Sequence, residues 1–228
     1  MSIIFSKLQS LAEDFKTILN QHSFRKDEHH PFPWDNLIYE SAFVRRAHLD
    51  IVDRIESKKL FMMHLCVFPK VTSPAPIYGF DIIAGPNKVT GAFLDFSPTG
   101  DPEHPLCEWF NNEVRVHNWS RERELPGWAK PIFSKCIVAA GNIQSEFELD
   151  DVIDLAKSSL LRHLDGLMTQ SNLHSYEDKQ RLFDFTAEQN RYCINQKQNP
   201  HTPRVMASLG FEPKMIEEFI QNCLFPEV

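Results

Sequence analysis

The chain has 228 residues, 42% of them hydrophobic, with 18 Phe, only 8 Gly and a formal net charge of −7. That length and apolar content build one aromatic-rich domain spanning residues 1–228. The acidic balance and the lack of a basic arm argue against a nucleic-acid partner, and no apolar run is long enough for a membrane span.

In chain order, Ile4, Leu8, Leu11, Phe15 and Leu19 are spaced for a helix over 3–20. A polar stretch with His29, His30, Pro31 and Pro33 then breaks the pattern. Strands are predicted near 44–54, 59–68, 76–84, 88–96 and 132–139. Asn87-Lys88 between two apolar runs reads as a tight hairpin, so that pair is antiparallel. Residues 98–131 read as irregular, with Pro98, Gly100, Pro102, Pro105 and Pro126. The acidic pair Asp150-Asp151 suits a helix start, and Ile153, Ala156, Leu160, Leu164 and Leu167 form its apolar stripe. Ser175 and Asp178 fit a capping box. Thr202-Pro203 fits an N-cap and first turn, Gly210 a stop, and Pro213 the opening of a last helix. Strands first and helices last, with a hairpin, give an α+β fold.

Two residues contradict their surroundings. Asp81 lies in the apolar run Ile77-Tyr78-Gly79-Phe80-Asp81-Ile82-Ile83-Ala84. His64 lies in Leu60-Phe61-Met62-Met63-His64-Leu65-Cys66-Val67-Phe68. A buried, unpartnered charge costs several kcal/mol, so such a group pairs, protonates or takes part in chemistry. An acid and a base on neighbouring apolar strands point to a proton-transfer site. The alternative is an Asp–His pair that satisfies itself inside the core.

The remaining motifs are exclusions. The five cysteines are widely spaced with no Cys-x-x-Cys, which fits reduced thiols in the cytoplasm rather than a zinc or iron–sulfur centre. The N-terminal segment has no signal-peptide pattern. GxGxxG, P-loop, Gly-x-Ser-x-Gly and HExxH motifs are all missing. Of the 10 His only His29 and His30 adjoin, so no metal site is expected.

Several segments, in order, carry a resemblance. They are Arg45-Arg46-Ala47-His48-Leu49-Asp50, Met63-His64-Leu65-Cys66-Val67-Phe68-Pro69, Tyr78-Gly79-Phe80-Asp81-Ile82-Ile83-Ala84-Gly85-Pro86 and Asp95-Phe96-Ser97-Pro98-Thr99. Next come Arg123-Glu124-Leu125-Pro126-Gly127-Trp128, Ile132-Phe133-Ser134, Tyr192-Cys193 through Asn199-Pro200-His201-Thr202-Pro203-Arg204-Val205, and Phe219-Ile220-Gln221-Asn222-Cys223-Leu224-Phe225. From about residue 40 onward the chain resembles the ferredoxin-dependent bilin reductases, most closely the phycocyanobilin-forming branch and its phage-encoded, phycoerythrobilin-forming members. The resemblance implies a three-layer α/β/α sandwich with a central antiparallel sheet. It implies biliverdin IXα as substrate, held between the sheet and the C-terminal helices. No flavin, nicotinamide or metal is bound; reduced ferredoxin delivers electrons singly and the pigment passes through radical states. A monomer is expected. Ferredoxins are acidic, so docking needs a local basic patch, for which Arg45, Arg46 and Lys197 are candidates.

The resemblance also implies roles. Asp81 matches the central acid that protonates the bilin, and His64 its partner base. Asn199 sits where relatives carry Asn or Asp. Arg123 matches a propionate contact and Thr90 a hydroxyl supporting the same group. His48 belongs to the substrate-binding set. His201 stands where near relatives carry Lys. Asp50 replaces a Glu associated with protonation in D-ring vinyl reduction. Asp is one methylene shorter, which withdraws the carboxyl by roughly 1.5 Å. The shortening favours phycoerythrobilin, by way of 15,16-dihydrobiliverdin, over phycocyanobilin. A non-catalytic bilin carrier is the reading from another class, and the acid–base pair argues against it.

Overall fold

The computed structural model describes residues 2–26, 32–173 and 184–228. Seven strands form one antiparallel sheet in sequence order: β1 (Phe24–Lys26), β2 (Asp35–Glu40), β3 (Val44–Arg54), β4 (Leu60–Pro69), β5 (Ile77–Ala84), β6 (Val89–Ser97) and β7 (Val138–Ala140). Each strand thus pairs with its neighbour in the chain, the arrangement that short connections favour. A single helical turn, α2 (Ile55–Lys58), joins β3 to β4.

Alternation along the strands feeds two separate cores. In β4, Phe61, Met63, Leu65 and Val67 enter the first core, and Met62, Cys66 and Phe68 the second. The first core is covered by α1 (Ile3–His22), α3 (Pro105–Val114) and α4 (Glu146–Leu173). Phe15 of α1 meets Phe80 edge-on at 5.4 Å, a favoured aromatic geometry. The second core is covered by α5 (Thr186–Gln196), α6 (His201–Ser208), α7 (Pro213–Glu218) and a π-helical turn, Phe219–Leu224. The molecule is therefore the expected three-layer α+β sandwich.

The differences from expectation are local. β1 and β2 are absent from the sequence reading, because three and six residues of mostly polar sequence carry no apolar alternation. The strand expected over 132–139 shrinks to Val138–Ala140; Ile132 is buried in the second core from a turn instead. The stretch expected to be irregular contains α3. His104 caps it by accepting from the Leu106 N–H, and Pro105 occupies the first turn, where no backbone donor is needed. The Thr202-Pro203 expectation is displaced by two residues, the N-cap falling at Pro200. α6 begins at His201, whose N–H donates to Asn199 Oδ1 at 2.9 Å. Gly210, at φ 89°, ends that helix, and Pro213 opens α7 as expected. His29, His30, Pro31, Ser175 and Asp178 lie outside the described residues. Among the described residues, no helix is long and apolar enough to cross a membrane.

Candidate active site

The register of the sheet builds the site. Asn36, Asp50, His64, Asp81, Phe93 and Ala139 are successive partners on β2 to β7. They form one row across the sheet, because directly opposed residues of antiparallel strands project to the same face. Beyond β7, the Arg123 N–H donates to the Ala139 carbonyl at 2.7 Å, so the row runs on to Arg123. Leu49, Ile51, Met63, Leu65, Phe80 and Ile82 belong to the first core. Asp50, His64 and Asp81 therefore face the C-terminal layer.

The three titratable groups differ in setting. Asp81 keeps part of its surface open and has no hydrogen-bond partner among the described residues; its depth in the fold pushes it up to about 7. His64 is also partly open. Its Nδ1 is buried without a partner among the described residues, its ring meets Phe225 edge-on at 5.5 Å, and burial pushes it down to about 4. Asp50 is only 5% exposed and is pushed up to about 8 by burial. The hydrogen bond from the Trp34 indole N–H opposes that rise, and the charges of Asp81 and Asp35 add to it. Asp81 and His64 do not satisfy each other as a closed pair. Near neutral pH the row holds a neutral base between an acid that keeps its proton and one close to its midpoint. Such a row can give and take protons.

These settings predict a pH dependence of stability for the ligand-free protein. Asp50 and Asp81 have folded values above that of an ordinary carboxylate, so the fold holds their protons more tightly than the unfolded chain does. Their favourable contribution is complete below the ordinary value and is lost as pH rises through the folded ones. His64 acts oppositely, and its effect is complete above its ordinary value of 6.5. Between pH ~6.5 and ~8 the carboxyls dominate. The thermal midpoint should fall across that window, and Asp81→Asn should flatten the fall; a midpoint rising over the same window contradicts the assignment.

The next row holds Ile38, His48, Cys66, Gly79 and Asp95. His48 is fully buried; its Nε2 contacts Asn36 Oδ1 and lies 3.8 Å from Cys223 Sγ. The Tyr192 hydroxyl leans over Gly79, 3.2 Å from where a Cβ would stand. Asp95 clamps the segment before β7, accepting from Ser97 Oγ at 2.7 Å, from the Ser134 N–H at 3.0 Å and from Ser134 Oγ. Glu148 of α4 holds the segment before Arg123 by accepting from the Ser120 N–H and hydroxyl at 2.8 and 2.5 Å. These two carboxylates fix the chain on which Arg123 is carried.

Arg123 is exposed. Its guanidinium donates to the Thr90 carbonyl at 2.5 Å and lies 5.9 Å from the centre of the Phe93 ring. A Cβ on Gly141 would stand 2.6 Å from Arg123 Nε, so that glycine makes room for the side chain. Thr90 Oγ1 donates to the Ile83 carbonyl at 2.9 Å. Arg123 and Thr90 thus adjoin at the Phe93 end of the row. Asn199 and His201 are set differently. Asn199 uses its side chain on the His201 N–H and Thr202 Oγ1, and His201 is exposed on the first turn of α6.

The three cations expected to offer a docking patch are engaged within the protein. Arg45 donates to Gln189 Oε1 at 2.9 Å and lies 4.7 Å from the Phe68 ring centre. Arg46 reaches the Cys223 carbonyl at 3.5 Å, and Lys197 pairs with Glu227 at 2.7 Å. The sequence reading also missed Trp34, Asn36 and Cys223, which surround Asp50 and His48. Trp34 follows two prolines in a polar stretch, so no periodicity marks it.

Fold and site together define an α/β/α sandwich in which two acids and one base line one face of a single sheet. The family follows: the chain belongs to the ferredoxin-dependent bilin reductases, whose family model matches residues 6–226. That match begins well before the resemblance noted from about residue 40. Among curated proteins, the phycocyanobilin:ferredoxin oxidoreductase of Prochlorococcus marinus is 27% identical over 218 residues, covering 94% of this chain and 82% of that protein. The corresponding protein of Trichodesmium erythraeum is 24% identical, covering 83% and 75%. The solved structure of PcyX is similar to this chain at 32% identity and a TM-score of 0.69, covering 97% and 99%. The tomato phytochromobilin synthase solved with biliverdin shares the fold at a TM-score of 0.70 and 16% identity, covering 97% and 82%. The chain is thus an oxidoreductase that acts with ferredoxin on bilins, which sets the carrier reading aside.

Proposed function

We propose that the protein reduces biliverdin IXα to phycoerythrobilin by way of 15,16-dihydrobiliverdin, using Asp81 and His64 as the proton-handling pair. The observation that carries this reading is the row itself. Asp81 and His64 are partly open, lack a bond to each other and lie side by side, whereas Asp50 is closed in by Trp34. A bilin laid along the row places its pyrrole nitrogens over Asp81. Each double-bond reduction takes two electrons, supplied singly by reduced ferredoxin, and two protons. The added electron raises the basicity of the pigment, and an acid within hydrogen-bond reach then delivers the proton. Asp81 is suited to this because its proton is held near neutral pH. His64, neutral there, takes up a proton from solvent and passes it to Asp81 between steps, returning to the neutral base.

Asp50 is a poor donor in this arrangement. It is shorter than Glu, its carboxyl is almost fully buried, and Trp34 occupies Oδ1. With the D-ring vinyl route slow, protonation falls to the C15–C16 bridge. Asn199 and His201 flank the pigment from the α6 turn, and His48 supports the row from beneath the C-terminal turn. Production of phycocyanobilin is the second reading, favoured by the cyanobacterial relatives. Anaerobic turnover of biliverdin with reduced ferredoxin separates the two. An early blue shift, as bridge reduction interrupts conjugation, followed by phycoerythrobilin on chromatography supports the first. A pigment that stays blue and elutes as phycocyanobilin refutes it.

The propionates of biliverdin bring a further expectation. Arg123 stands at the Phe93 end of the row with an exposed guanidinium, whose planar fork suits a carboxylate. Solvent screens such a contact to about 1 kcal/mol, so Arg123→Ala should raise the Kd for biliverdin about fivefold and leave the bound reaction nearly unchanged. Titration by pigment absorbance checks this; an unchanged Kd makes Arg123 a surface residue.

A further inference from the structure

Asp50 is held by one side-chain hydrogen-bond donor among the described residues, the indole N–H of Trp34. Trp34 is in turn fixed from three sides. It stacks on Phe32 at 5.0 Å, meets Phe211 at 4.6 Å and meets Phe219 edge-on at 5.1 Å. Arg54 closes the outside of this cluster, donating to the Pro33 carbonyl at 3.2 Å and lying 5.5 Å from the Phe211 ring centre. The direction of the N–H is therefore set by packing, and the Asp50 carboxyl follows it.

We propose that Trp34 is a positioning residue that selects which double bond is reduced: its N–H draws the Asp50 carboxyl against the aromatic wall of Phe32, Phe211 and Phe219, out of the open part of the cleft. Protons then reach the pigment from Asp81 and His64, the two members of the row that keep open surface. This inference rests on the bridge-first reading of the reaction and adds the reason Asp50 stands aside. The other polar groups around Asp50 do not replace Trp34. Asp35 on β2, Asp81 on β5 and Cys223 on the C-terminal turn are acids that share its charge sign when ionised. Asn36 is engaged with His48 on Asp50's own strand, and His64, the partner on β4, is neutral.

The test uses Trp34→Phe, which keeps a ring among Phe32, Phe211 and Phe219 and removes the donor. The infrared C=O band of Asp50, identified by its loss in Asp50→Asn, is followed against pH without pigment. The lost donor favoured the ionised carboxyl, so the midpoint should move up by about one pH unit. In turnover, Trp34→Phe should yield a D-ring vinyl-reduced pigment at a tenth or more of total product, against a trace from the wild type. A second measurement needs no substitution at Trp34. The indole N–H resonance of the wild type should shift with pH at the Asp50 midpoint and stop shifting in Asp50→Asn. A flat indole resonance, or an unchanged product split in Trp34→Phe, overturns the proposal. Phycocyanobilin as the wild-type product refutes the bridge-first reading instead, and the infrared and indole titrations tell the two failures apart.

Discussion

Asp81→Asn is expected to bind biliverdin almost as tightly as the wild type and to lose turnover by at least ~100-fold, the lower end of what a positioned proton donor contributes. The amide has the same shape and sits where the carboxyl is partly open and without a hydrogen-bond partner among the described residues, so the variant should fold and pigment seating should not depend on the charge. What it cannot do is give up a proton to the reduced pigment and regain it from His64. Electrons from ferredoxin then arrive without a matching proton, and the pigment should accumulate as a one-electron radical. Anaerobic single-turnover absorption with electron paramagnetic resonance reads both effects. Product formation at the wild-type rate removes Asp81 from the mechanism.

Asp50→Glu is the second large effect, and it acts on product rather than rate. The added methylene moves the carboxyl by roughly 1.5 Å, past the reach of a fixed Trp34 N–H and toward the cleft. Vinyl reduction of the D-ring should then appear as a major product. The site is tightly enclosed, with Asp50 5% exposed, so overpacking should cost about 1–3 kcal/mol and lower the thermal midpoint by several degrees. A folded Asp50→Glu enzyme with the wild-type product split shows that side-chain length does not choose the product.

The sequence made some of this visible. β3 to β6 are long and strongly apolar, and their bounds were readable within a residue or two. Asp81 and His64 stood out because each breaks an apolar strand. Their placement side by side, with Asp50 completing the row, was not readable, because register depends on turn geometry and not on the pattern within a strand. α3 was hidden because Pro105 reads as a breaker until its place on the first turn is known. Trp34 and Asn36 lie on or beside β2, a short strand in which Leu37, Ile38 and Tyr39 are all buried in succession, so no polar–apolar alternation marks it. The cations chosen for docking illustrate the opposite error. Arg45 and Lys197 look like surface charge in sequence, yet each is drawn into a partner by the fold.

The account turns on where the first proton goes. The most direct measurement runs the wild-type reaction in deuterated water with reduced ferredoxin, stops it at the first blue-shifted pigment and locates deuterium by nuclear magnetic resonance. Delivery from Asp81 and His64 places it at C15 and C16, with both vinyl groups intact. Deuterium in a D-ring ethyl group, with the bridge unsaturated, contradicts the account and makes Asp50 the first donor.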